Sequence, residues 1–211
     1  MNMLEKIRNK FMDNPVFRRL WQIFRIPLVI ILILFIGLVI YRIPVVMERQ
    51  KTEEVVEKIH SQKLTLADVS GERLPPEPDP VLKDATIEGI DANNNGIRDD
   101  VELVIFKLHP DSARIRAAEL QYALALQMYL INVFNSETLV AAIQQENRGF
   151  FCVADATTDK SPDAQSKEVE NLVFNTAARE KKYKDIFDNY MTSYKSLQGS
   201  HCDVELKSLP N

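Results

Sequence analysis

Sixteen consecutive residues without a charge, Ile26 to Tyr41 (IPLVIILILFIGLVIY), constrain this chain more than any other feature. As a helix they reach roughly 24 Å, a little short of the roughly 30 Å hydrocarbon core of a bilayer. Arg42 follows, and the apolar run resumes from Ile43 to Met47. An arginine at that point carries its charge out to the headgroups along its own aliphatic stem, so residues 26–47 read as a single transmembrane anchor. Trp21 and Tyr41 stand near the interfaces where amphipathic rings belong. A core helix this uniformly apolar does not suit so small a protein. A cleaved signal peptide would want small residues at a cleavage site, which YRIPVVMERQ lacks.

Charge is divided by that run. Residues 1–25 carry six basic and two acidic side chains, net +4, whereas the part from Glu48 onward has 19 basic against 28 acidic, net −9. The excess of cations on one flank predicts a cytoplasmic N-terminus and a body on the far side. In a bacterium this is an inner-membrane protein with a periplasmic domain. Phe11 to Phe24 reads either as a segment lying on the inner leaflet or as a loose basic tail. An acidic body argues against nucleic acid as a partner. The expected partners are the lipid bilayer, through 26–47, and a protein that the sequence does not identify.

Beyond the anchor, residues 48–80 read as a charged, helix-compatible stalk followed by a Pro-rich linker. Pro75, Pro76, Pro78 and Pro80 forbid helix there. The folded domain is expected over 81–211. Its apolar spacing is helical, which predicts an all-α, compact bundle of about four helices. The first runs from Asp99 to His109. The second is capped by Asp111 or Ser112 and continues to about Phe134. The third goes from a Ser136 cap to about Ala156. The fourth starts at Ser161-Pro162-Asp163 and carries apolar residues from Val169 through Tyr194 and Leu197. The second helix is apolar enough to rival a membrane span. Glu119, Gln121, Gln127 and Asn132 interrupt it on several faces, which favours a central helix buried by its neighbours.

Residues 91–102 read DANNNGIRDDVE and match the pattern D-x-[DN]-x-[DN]-G-x5-E at every constrained position: Asp91, Asn93, Asn95, Gly96 and Glu102. The spacing suits calcium for a geometric reason. A hard cation of that size wants six to eight oxygens at about 2.3–2.6 Å, and alternate side chains converge when the chain coils round it. Gly96 allows the turn. Ile97 offers its backbone carbonyl, Asp99 binds directly or through water, and Glu102 closes the shell with both oxygens. The loop resembles an EF-hand-type calcium loop, and its Gly-Ile-x-Asp core resembles the acidic repeats of thrombospondin type 3 modules. The resemblance covers twelve residues and the helix they lead into. It implies Asp91, Asn93, Asn95, Ile97, Asp99 and Glu102 as calcium ligands. Position eight, usually apolar, is Arg98, no standard helix precedes Asp91, and there is no second loop. This is therefore half an EF-hand, suited to a structural ion rather than to sensing. The segment Asn-Gly-x-Arg-Asp-Asp-Val-Glu also resembles that of uncharacterised bacterial single-pass membrane proteins.

Cys152 and Cys202 are the only cysteines, and outside the cytoplasm such a pair is expected to form a disulfide. His60, His109 and His201 are scattered without nucleophile or ligand company. The run from Arg179 to Asp185 reads as a solvated helix face. No catalytic residue is singled out. The expected function is a non-enzymatic, calcium-binding structural or interaction module held at the membrane. The alternatives are an accessory subunit of an envelope complex, or an enzyme, which a polar pocket of convergent carboxylates would favour.

Overall fold

The computed structural model describes residues 15–157 and 160–210. The first fourteen residues of the basic N-terminal segment, including Phe11, lie outside the described residues. The described chain is all-helical, with no strand. It forms two compact units, Met1–Lys51 and Thr52–Asn211.

Helix α1, Pro15–Ser61, supplies what is described of the first unit. It contains the one helix segment among the described residues long and apolar enough to cross a membrane. Its best 18-residue window has a mean hydropathy of 3.0, and none of that window is buried. Ile33, Phe35 and Leu38 are each about 60% exposed, at 61%, 62% and 61%. Pro27 and Pro44 lie inside the helix and each removes one backbone hydrogen bond. Interior prolines of this kind are tolerated in membrane helices.

The second unit starts at Thr52, ahead of the Val81 start read from the sequence. The reason is burial: Ile59, Leu64 and Val69 belong to its hydrophobic core. After α1 come α2 (Leu66–Ser70), α3 (Asp99–Leu108), α4 (Ala113–Asn132), α5 (Ser136–Ala156), α6 (Pro162–Val173) and α7 (Ala177–Tyr190). Two short 3-10 turns, Leu82–Asp84 and Leu206–Ser208, complete the elements. The Pro-rich residues 74–79 take neither helix nor turn, as their fixed φ and missing donors require.

Helix α4 is the axis of this unit. It packs against α2, α3, α5, α6 and α7, and 17 of its 20 residues are buried. Its buried Arg116, Glu119, Gln121 and Gln127 each tie down another segment. Glu119 accepts from Gln165 Nε2 at 2.7 Å and pairs with His109 Nε2 at 3.0 Å. Gln121 donates to His201 O and accepts from Asp203 N, both near the C-terminus. Gln127 donates to Glu88 O at 2.8 Å, and Arg116 donates to the carbonyls of Val69, His109 and Pro110. The polar interruptions are therefore anchor points inside a buried helix. Gly149 lets α5 approach α4 closely, because a Cβ there would lie 2.9 Å from Tyr122 Cα. Cys152 Sγ and Cys202 Sγ lie 2.06 Å apart, within disulfide bonding distance.

The caps fix the helix starts. Ser112 caps α4, accepting from Ile115 N. Asn135, one residue ahead of the expected Ser136, caps α5 through a reciprocal arrangement with Thr138. The largest departure concerns the expected fourth helix. It is two helices, α6 and α7, because Thr176 accepts from Arg179 N and starts a new one. Tyr194 and Leu197, expected on its apolar face, follow the end of α7 and are 39% and 41% exposed. Arg179 does not lie on a solvated face. It is fully buried, at 0% exposure.

Candidate metal site: loop 91–102

The loop closes on its own side chains. Asp91 accepts from Asn95 N at 3.1 Å and Gly96 N at 2.9 Å, one bond per carboxylate oxygen. Asn93 Oδ1 accepts from Asn95 N at 3.2 Å, and Asn95 Oδ1 from Ile97 N at 2.8 Å. Asp99 Oδ1 accepts from Ala92 N at 2.9 Å, while its own N–H donates to Ile90 O at 2.8 Å. The turn needs the left-handed region twice, at Asn94 (φ 56) and Gly96 (φ 90). A Cβ on Gly96 would also lie 1.9 Å from Gln62 Nε2. Gln62 itself donates to Asn95 O.

Helix α3 starts at Asp99, so three acidic residues, Asp99, Asp100 and Glu102, fall in its first turn at the positive end of its dipole. Asp99 and Glu102 are both fully buried, at 0% exposure. Glu102 Oε2 accepts from Asn93 Nδ2 at 3.0 Å. The second oxygens, Asp99 Oδ2 and Glu102 Oε1, are buried with no hydrogen-bond partner, as is the donor Asn95 Nδ2. Burial pushes the Glu102 carboxyl up to about 7, with the charges of Asp68 and Asp99 adding to the rise and the Asn93 and Asn95 amides opposing it. Burial also raises Asp99, assisted by the charges of Asp91 and Asp100 and opposed by the Ala92 N–H.

Two orphaned carboxylate oxygens in an oxygen-rich loop suit a hard cation, whose charge would offset their desolvation. The fit has a defect at Asn93, whose amide nitrogen rather than its oxygen faces Glu102. Among the described residues no group of three or more His, Cys, Asp or Glu side chains gathers in a metal-holding arrangement. Of the expected ligands, Asn93 and Glu102 are in direct contact, whereas Asp91 binds backbone amides. Ile97 buries its side chain in the core at 1% exposure, which fixes the loop's exit.

Several residues that hold the loop are not evident from its motif. Arg73 donates from Nη2 to Asn93 O at 3.2 Å, and Asn93 Nδ2 donates to Arg73 O at 2.8 Å. Arg73 Nη1 also reaches Asp68 Oδ1 at 3.6 Å. Arg98 is 1% exposed. It holds Asp100 through Nε at 2.5 Å and Nη2 at 3.1 Å, and donates to the carbonyls of Leu172 and Val173 at the end of α6. Gly89 gives it room, since a Cβ there would lie 2.1 Å from Arg98 Cδ. Arg179 spends all five of its N–H donors on Ile87 O, Asp84 Oδ1, Asn175 Oδ1, Lys83 O and Thr86 O. Two buried arginines thus fasten the approach to the loop onto α6 and α7.

Compared with family models, curated proteins and solved structures, the chain matches none of them.

Proposed function

We propose that this chain is a membrane-anchored, non-enzymatic structural or interaction module whose folded part is stabilised by calcium in loop 91–102. The observation that carries the reading is the pair of fully buried carboxylates, Asp99 and Glu102, whose Oδ2 and Oε1 make no well-formed hydrogen bond, in a loop where Asp91, Asn93 and Asn95 supply further side-chain oxygens. Asp91, Asn93, Asn95, the Ile97 carbonyl, Asp99 and Glu102 would hold the ion, with the Asn93 amide turned to present its oxygen. The ion would supply positive charge where the chain has buried negative charge, and so lock the first turn of α3 to the loop.

The anchor belongs to residues 26–47. Support comes from the apolar side chains of α1 that no part of the described unit covers. In this reading the N-terminus is cytoplasmic, the membrane is a bacterial inner membrane and the helical bundle, with its Pro-rich 70–80 approach, faces the periplasm. The Cys152–Cys202 pair favours that side, where disulfides persist. The accessory-subunit alternative shares this placement and differs in having one defined protein partner.

The test uses the full chain in lipid nanodiscs, melted in chelator and in saturating calcium. At about a hundredfold excess over Kd, ligand linkage gives about 2.7 kcal/mol. For a unit of this size that raises Tm by roughly 5–10 °C. Glu102→Gln removes the increase. Identical melting curves with and without calcium would refute the reading.

A further inference from the structure

A cavity of about 350 Å³ opens among α4, α5, α6 and α7, and shares no residue with loop 91–102. Glu146 from α5 and Asp163 and Glu170 from α6 line it, against a single cation, Lys167. Glu146 Oε2 accepts from Tyr129 Oη at 2.5 Å. Among the described residues this carboxylate forms no ion pair; burial raises it, Glu170 adds to the rise, Tyr129 opposes it, and Tyr122 and Tyr183 stand in its field. Glu170 Oε1 accepts from Tyr122 Oη at 3.1 Å, and its Oε2 from Lys167 Nζ at 2.8 Å. Lys167 stands at the rim, with 68% of its side chain exposed. Ser166 lines the same cavity, is only 3% exposed, and its Oγ has no hydrogen-bond partner. The remaining wall is largely aromatic, with Phe150, Tyr183 and Phe187.

We propose that this cavity binds a small primary ammonium carried on an apolar or aromatic body, with Glu146 as its counter-charge and Ser166 Oγ as a second acceptor. Three features select that chemistry. The cavity carries more negative than positive charge, Glu146 has a tyrosine hydroxyl but no ion-pair partner among the described residues, and Ser166 Oγ has no partner. Aromatic faces attract organic cations and accommodate an apolar body. A hard metal ion is disfavoured, since it would want six to eight oxygens and the three carboxylates that line the cavity do not gather in a metal-holding arrangement. The volume lies within the range of small-molecule sites. Lys167 already presents an ammonium to Glu170 at the rim, so an incoming ligand competes with it there.

The probe is 2-phenylethylammonium, titrated calorimetrically into the full chain in lipid nanodiscs, with neutral 2-phenylethanol as the control. Expected is saturable one-site binding of the ammonium at least roughly tenfold tighter than the alcohol, weakened at least roughly tenfold by Glu146→Gln. Ser166→Ala weakens binding as well. Lys167→Ala, at a mostly exposed side chain, retains or tightens it by removing the competitor. Absence of saturable binding, or equal affinity for ammonium and alcohol, overturns the proposal. Unchanged affinity in folded Glu146→Gln also overturns it. If that variant does not fold, unchanged affinity in Ser166→Ala does so instead.

Discussion

Arg179 shows how one side chain organises a neighbourhood. Its guanidinium fills five hydrogen bonds with no exposed surface, joining α7 to the segment 83–87 that leads into the loop. Arg179→Lys keeps the charge but lacks the planar fork, and strands several acceptors. The expected cost is about 3 kcal/mol in urea unfolding of the full chain. A loss below a few tenths would mean that the network is dispensable. Glu119 makes a pH-dependent prediction. Burial raises its carboxyl above the ordinary 4.5, with Gln165 and His109 pulling the other way. Well below pH 4.5 both folded and unfolded chains hold this proton. As pH rises the unfolded chain releases it first, so this residue's contribution to stability is lost until the folded value is passed. Glu119→Gln should flatten the dependence of the urea midpoint on pH above about 4.5. An unchanged slope would contradict it. Arg179 was legible in principle: Arg179, Tyr183, Ile186 and Tyr190 share one helix face by i, i+4, i+7, i+11 spacing. Its charged neighbours in sequence mask that register. Arg98 stands where the loop pattern expects an apolar residue, and it is buried as that residue would be.

At the scale of elements, caps and tethers carry the argument. The starts of α4 and α6 are visible in sequence because Ser112 and Ser161 accept from the amide three residues on and Pro162 opens the first turn of α6. The break between α6 and α7 was not legible from apolar spacing, which runs straight through it. Thr176 is a cap only once Phe174 leaves the helix and packs on Tyr183, with ring centroids 4.5 Å apart. The segment 52–70 was equally hidden. It has few apolar residues, but Ile59, Leu64 and Val69 are placed to enter the core. The Cys152–Cys202 link closes a separation of 50 residues and ties the C-terminal segment to α5. Replacing both by Ala should cost about 2–4 kcal/mol of stability by chain entropy. Equal denaturant midpoints for the parent and the double variant would show that the link does not constrain the unfolded chain. Gly149→Ala brings a methyl against the backbone of Tyr122, with an expected cost of about 1–3 kcal/mol from overpacking. A gain in Tm would mean that α4 and α5 have room to separate.

For the whole molecule, the apolar exposed helix and the buried, oxygen-rich loop point to different environments that one chain serves. The long apolar helix was legible because sixteen uncharged residues leave few alternatives to a helix apolar enough to span a bilayer. The loop's spacing was legible as well. The orientation of Asn93 and the clasp by Arg73 and Gln62 were not, since both depend on residues far off in sequence. A reporter enzyme fused after residue 211 and active only in the periplasm should be active, and cytosolic activity of a matched reporter would contradict the proposed orientation. The central claim is that loop 91–102 takes up calcium. Its most direct measurement is calorimetric titration of calcium into the chelator-stripped full chain in nanodiscs. One saturable site per chain is expected, lost in Asp91→Asn/Glu102→Gln. Heats no greater than dilution, or an equal site in the double variant, would contradict it.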